Sequence, residues 1–142
     1  MTSQPGNLDL ATLRRLMAHA HNRMAELGAT CAVAIADTGG VLIALERAED
    51  TPPMIGIIAD AKAATAALLG IATSELGDVA TNWPGIVEPI KARLGGRFCA
   101  YGGAVPLVRN GVRIGAVAIS GGSEAQDEEV AREIAAMVAA SA

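Results

Sequence analysis

Leu10, Leu13, Met17, Ala20, Met24 and Leu27 recur at steps of three and four residues, a spacing that lays them along one face of a helix. Asp9 is a capping residue type and Gly28 ends the run, so the pattern predicts an amphipathic helix over residues 9–27. Residues 31–36 read Cys-Ala-Val-Ala-Ile-Ala without polar alternation, which predicts a strand covered on both faces. Asp37-Thr38-Gly39-Gly40 supplies a turn and residues 41–47 a second strand, closing a hairpin. Thr51-Pro52-Pro53 opens a second helix, since proline is tolerated in a first turn where its missing N–H breaks no bond. The body of that helix is residues 55–69, and Gly70 is its natural end.

Beyond Gly70 the periodicity weakens. Thr73 or Ser74 can cap a short helix, Asn82-Trp83-Pro84-Gly85 interrupts, and residues 86–94 can make one or two helical turns, so residues 72–96 are expected as a helical excursion. Strand patterns return at residues 97–101 and 104–109, and Asn110-Gly111 predicts a tight turn into a strand over 112–120. Gly121-Gly122 ends that strand. Ser123, with Gln126 three residues on, makes a capping box for a last helix whose apolar stripe is Val130, Ile134, Met137 and Val138. Hairpins rather than repeated βαβ units imply an α+β fold, a five-stranded antiparallel sheet flanked by helices. At 142 residues the chain has the size of one domain, expected to span residues 1–142.

Composition narrows the function classes. Hydrophobic residues make up 51% and the mean hydropathy is +0.37, which excludes disorder as the main state. Eleven Lys and Arg against fifteen Asp and Glu give a net charge of −4, which repels phosphate backbones and anionic lipid, so nucleic acid and membrane surfaces are not expected partners. Aromatic residues, at 2%, offer no platform for stacking bases. Residues 1–7 are polar and lack a secretion signal, and the longest uncharged stretch, 63–74, falls short of the ~18 residues that cross a bilayer. A cytoplasmic protein is the expectation. Cys31 and Cys99 stand in apolar runs and are expected as buried thiols that behave as small hydrophobes, with no disulfide or metal framework. Helices rich in Ala and Gly leave apolar surface uncovered, which points to a homo-oligomer.

His19 and His21 do not form a chelating pair, because positions two apart on a helix leave about 200° from one another. His19 is expected toward solvent. His21, on the flank of the stripe, is either a surface polar residue or an axial ligand of haem iron. In the second helix, placing Ile58 and Leu69 on the buried face puts Thr65 at its centre and Lys62 on its edge. The structural reading has Thr65 bonding the carbonyl one turn back while Lys62 extends to water. The functional reading sets the ammonium at the mouth of a cavity, as an anion clamp or a base. Gly39-Gly40 is accounted for as a turn, whereas Gly102-Gly103 and Gly121-Gly122 flank the central hairpin. Asp127 and Glu128 are carboxylates close to a glycine turn, read as dipole partners of the last helix or, for Asp127, also as a proton carrier. No hydrolytic triad, zinc spacing or phosphate loop is present.

Three runs carry a resemblance: residues 58–66 (Ile-Ala-Asp-Ala-Lys-Ala-Ala-Thr-Ala), 102–107 (Gly-Gly-Ala-Val-Pro-Leu), and 115–122 with Gln126-Asp127-Glu128. In this order they resemble the signatures of the GlcG/HbpS family of haem-degrading domain proteins, and residues 33–40 followed by Arg47 resemble its first hairpin. The resemblance implies a profilin-like α-β-α fold, assembly into dimers or larger rings, and haem or tetrapyrrole binding. Other members are encoded beside catabolic genes, which implies as the alternative a small cofactor-independent enzyme, of lyase or isomerase type. Its substrate would be a small organic acid or carbonyl compound held between the second helix, the glycine turns and a neighbouring subunit. Lys62 and Thr65 match the family's helical motif, and Gly102, Gly103, Gly121, Gly122 and Asp127 match its glycine and acidic positions. Glu49 stands where an Asp commonly follows the hairpin Arg, Ala118 replaces a usual glycine, and neither histidine belongs to the motif.

Overall fold

The structure, a computed structural model, describes residues 8–141; the polar start over residues 1–7 lies outside them. Helix α1 (Leu10–Glu26) begins where the pattern places it, with the Asp9 carboxylate accepting from Thr12 N–H, and buries Leu13, Leu16, Met17, Ala20 and Met24. Strands β1 (Ala32–Ala36) and β2 (Leu42–Arg47) form the first hairpin. Helix α2 (Pro53–Leu69) follows and closes in a left-handed residue at Gly70. The weakly patterned stretch is helical, a 3₁₀ turn at Thr73–Glu75, then α3 (Leu76–Asn82) and α4 (Val87–Leu94). Thr73 does not cap it. Its hydroxyl instead accepts from Ala104 N–H at 3.1 Å, tying the turn to the central hairpin. Strands β3 (Ala104–Arg109) and β4 (Val112–Ser120) make that hairpin, and α5 (Glu124–Ala140) opens with the Ser123–Gln126 capping box in place.

The sheet has four strands, in the order β2-β1-β4-β3 with every neighbour antiparallel, and not the expected five. Residues 97–101 are the missing strand. Their bonding groups are taken by α2: Cys99 N–H donates to Thr65 Oγ1 at 2.9 Å, and the Arg97 guanidinium holds Asp60 at 2.6 and 3.0 Å. A segment anchored to a helix in this way cannot turn back at Gly102-Gly103 to pair with the edge of β3, so it crosses the end of the sheet as irregular chain.

Side-chain alternation sorts the two faces. Val33, Ile35, Val105, Leu107, Val117 and Ile119 pack with α1 and α5, whereas Ala32, Ala34, Ala36, Ala104, Ala116 and Ala118 meet Ala59, Ala63, Ala66 and Ala67 of α2. The Ala-on-Ala face sets α2 against the sheet with no bulky side chain between them, and the larger residues fill the other layer. Among the described residues no single helix is long and apolar enough to cross a membrane.

Candidate functional site

The last strand and last helix are joined by Ser120, Gly121, Gly122 and Ser123. A side chain at Gly121, whose φ is +133°, would put its Cβ 2.3 Å from Thr30 O, so the bend there needs glycine. The bend turns Asp127, one helical turn into α5, back toward its own N-terminus, where Oδ1 accepts from Gly122 N–H at 2.9 Å. On the opposite layer Lys62 leaves α2 and runs past the end of β3, where Gly103 has no side chain. An added Cβ at Gly103 would lie 2.7 Å from Lys62 Nζ and 3.0 Å from Asp127 Cβ. Lys62 Nζ thereby reaches across the sheet end, donating to Ile119 O at 3.0 Å and to Asp127 Oδ2 at 3.4 Å. The Tyr101 ring covers it, with the centroid 5.3 Å from Nζ.

Lys62 is 0% and Asp127 1% exposed, so the lysine does not sit at the edge of the helical stripe and does not extend to water. Burial is the largest influence on both. It pushes the Lys62 ammonium below its ordinary value against the opposing pull of Asp127, and raises the Asp127 carboxyl against Lys62 and the Gly122 N–H. Both shifts favour the neutral forms.

Above this pair lies a cavity of about 380 Å³, within the range of small-molecule sites. Ile55 and Ile58 of α2 with Cys99 and Tyr101 form its walls; Ser120, Gly121, Gly122 and Asp127 form its floor. Five of the expected residues therefore converge here: Lys62, Gly103, Gly121, Gly122 and Asp127. Thr65 acts one step removed. It makes the expected bond to Ala61 O at 2.7 Å, and its oxygen also accepts from Cys99 N–H, holding the wall. Gly102 faces a neighbouring cleft, where its N–H donates to Glu124 Oε1 at 2.7 Å and where Ser74 bonds Glu128. His21 lies apart from the cavity: Nε2 is 3.2 Å from Glu46 Oε1 of β2 and Nδ1 3.6 Å from Cys31 Sγ. His19 is one-third exposed, with Nε2 3.6 Å from Glu133.

Ile55, Ile58, Cys99, Tyr101 and Ser120 line the site without having been singled out for it from the sequence. Cys31 is fully buried as expected, but Cys99 is only half-buried and forms a wall. The available signal was the diglycine that begins three residues beyond Cys99, which marks a sharp bend. Among the described residues no cluster of His, Cys, Asp or Glu is arranged to hold a metal ion.

Residues 8–136 match the family described as Haem degrading protein HbpS-like. The chain is 33% identical over 135 residues to the corrinoid adenosyltransferase PduO of Salmonella typhimurium, covering 94% of this chain and 40% of that protein. The chain thus spans less than half the length of that relative. Its fold is similar to a solved PduOC:haem complex, with a TM-score of 0.78 and 33% identity over 91% of this chain and 93% of that one. The Klebsiella pneumoniae protein OrfY has the same fold, with a TM-score of 0.84 and 24% identity over 99% and 97% of the two chains.

Proposed function

The chain belongs to the HbpS-like family, and from that premise we propose that it is a small-ligand binding protein whose cavity takes a tetrapyrrole of the haem type. The observation that carries this reading is the cavity itself, where apolar walls from α2 and the 97–101 segment meet a polar floor backed by a fully buried ion pair. The likeness to a protein solved with haem supports the ligand class.

The donor set suits haem. Ile55 and Ile58 offer apolar contact to a macrocycle, and Cys99 and Tyr101 offer a thiol and a phenol, both side-chain types that ligate haem iron. These two residues would hold the iron, and the bound group would supply redox-active chemistry. His21, which the sequence left open as a surface residue or an axial ligand, is not among the residues that line the cavity and would have to give up Glu46 to bind iron. A hemin titration tests the assignment. Wild-type protein gives a saturable Soret shift, which Cys99→Ser or Tyr101→Phe alters and His21→Ala leaves in place. A shift lost in His21→Ala moves the site to the Glu46 face, and no saturable shift in the wild type ends the reading.

A second reading is favoured by the buried pair, which a passive binding site does not need. In it the cavity performs cofactor-independent lyase or isomerase chemistry on a small organic acid or carbonyl compound, with Lys62 as anion clamp or base and Asp127 as proton carrier. Assembly with copies of the same chain accompanies either reading, supported by the exposed Met54 and Ile57 beside the cavity on α2.

A further inference from the structure

We propose that Lys62 is a covalent, Schiff-base-forming amine that condenses with a short apolar aldehyde seated in the cavity. This goes beyond the binding reading, and it assigns Lys62 a role other than clamp or base. The side chain is placed for such a role. An ammonium that serves only to attract anions gains by standing at an opening, whereas Lys62 is wholly enclosed and ends between Ile119 O, Asp127 and the ring of Tyr101. Its carboxylate partner and its aromatic cover both line the cavity, so Nζ lies directly behind the cavity floor.

Its pairing with Asp127 is loose. At 3.4 Å the Nζ–Oδ2 contact is longer than a strong charge-assisted hydrogen bond. Moving one proton from the ammonium to the carboxylate leaves the net charge of the site unchanged and removes two charges from a dry environment. The product is a free amine beside a carboxylic acid. Gly122 N–H holds the other carboxyl oxygen at 2.9 Å, so Asp127 keeps its place when the lysine side chain moves.

The cavity also fits such a substrate. Ile55, Ile58 and Tyr101 accept a short hydrocarbon chain, and the floor presents Asp127 and Ser120 to a carbonyl group. The amine nitrogen attacks the carbonyl carbon while Asp127 gives its proton to the carbonyl oxygen, forming a carbinolamine. Asp127 recovers a proton from that nitrogen and returns it to the hydroxyl, which leaves as water as the C=N bond forms. One aldehyde and one amine give one imine and one water, with no oxidant or reductant.

Lys62 and Lys91 are the two lysines of the chain, which makes the test direct. The 142-residue chain is incubated near neutral pH with pentanal and sodium cyanoborohydride, and the alkylated residue is located by peptide mass spectrometry. The expected result is one pentyl group on Lys62, added at least about tenfold faster than on Lys91, an exposed amine 3.6 Å from Glu88. Lys91→Arg keeps the Lys62 label and Asp127→Asn slows it. Label confined to Lys91 and the amino terminus, or reaching Lys62 only in urea, overturns the proposal without need of any variant. Hemin titration of the same preparation separates the two ideas: an adduct without hemin binding removes the tetrapyrrole reading alone, and hemin binding without an adduct removes this one alone.

Discussion

A fully buried lysine keeps its place only while something answers its charge, and the space around Lys62 is as specific as its partners. Gly103, with φ at +132°, lets the ammonium pass; a methyl there would stand 2.6 Å from Ile119 O and 2.7 Å from Nζ. Gly103→Ala is therefore expected to cost about 2–4 kcal/mol in urea unfolding, while Gly85→Ala, with no atom within 4 Å of the added carbon, stays within about 0.5 kcal/mol. Cys31 supplies a pH dependence. Burial, followed by the charges of Asp127 and Glu46, raises its thiol from 9.0 to about 12. Between these values the folded chain keeps a proton that the unfolded chain has lost, so folding stability falls as pH rises, by up to about 1.4 kcal/mol per pH unit. Denaturation measured across that window should show the fall, and Cys31→Ala should flatten it. At this scale the residue types of the site were legible, because Lys, Asp and paired glycines are unusual in an apolar chain. Their depth was not, since depth belongs to what packs around them.

Among the elements, the segment at residues 97–101 separates local pattern from final structure. Its sequence, Arg-Phe-Cys-Ala-Tyr, has the aromatic and apolar character of a strand, yet its backbone is held by Thr65 on α2. Thr65→Val keeps the shape and removes the acceptor, so it should cost about 1–3 kcal/mol and speed hydrogen exchange at the Cys99 amide, with Thr65→Ser restoring protection. Elsewhere the elements followed their patterns closely. The Asp9 cap, the Gly70 stop and the Ser123–Gln126 box all work within a turn of chain, where bonding partners are close in sequence. Strand 97–101 failed because its partner lies 34 residues away.

For the whole molecule, one sheet separates a layer of small residues under α2 from a layer of larger ones under α1 and α5, and the candidate site lies where the sheet ends and the layers meet. On the outer side of α2, Met54 and Ile57 are 66% and 70% exposed, and Val41 and Ile43 of the first hairpin are exposed as well. A helix start that is apolar on all sides calls for a cover. Light scattering should give a mass above the 14.3 kDa of one chain, and Ile57→Glu should lower it toward that of a monomer. The order of residues along the chain was enough to determine the helices, the two hairpins and the α+β class, because each follows from periodicity or from bonds within a few residues. Tertiary structure alone decided that the sheet stops at four strands, that Lys62 is enclosed rather than solvated, and that Cys99 and Tyr101 wall its cavity. These depend on contacts between distant segments, and a one-dimensional pattern carries no record of which surface another part of the chain will cover.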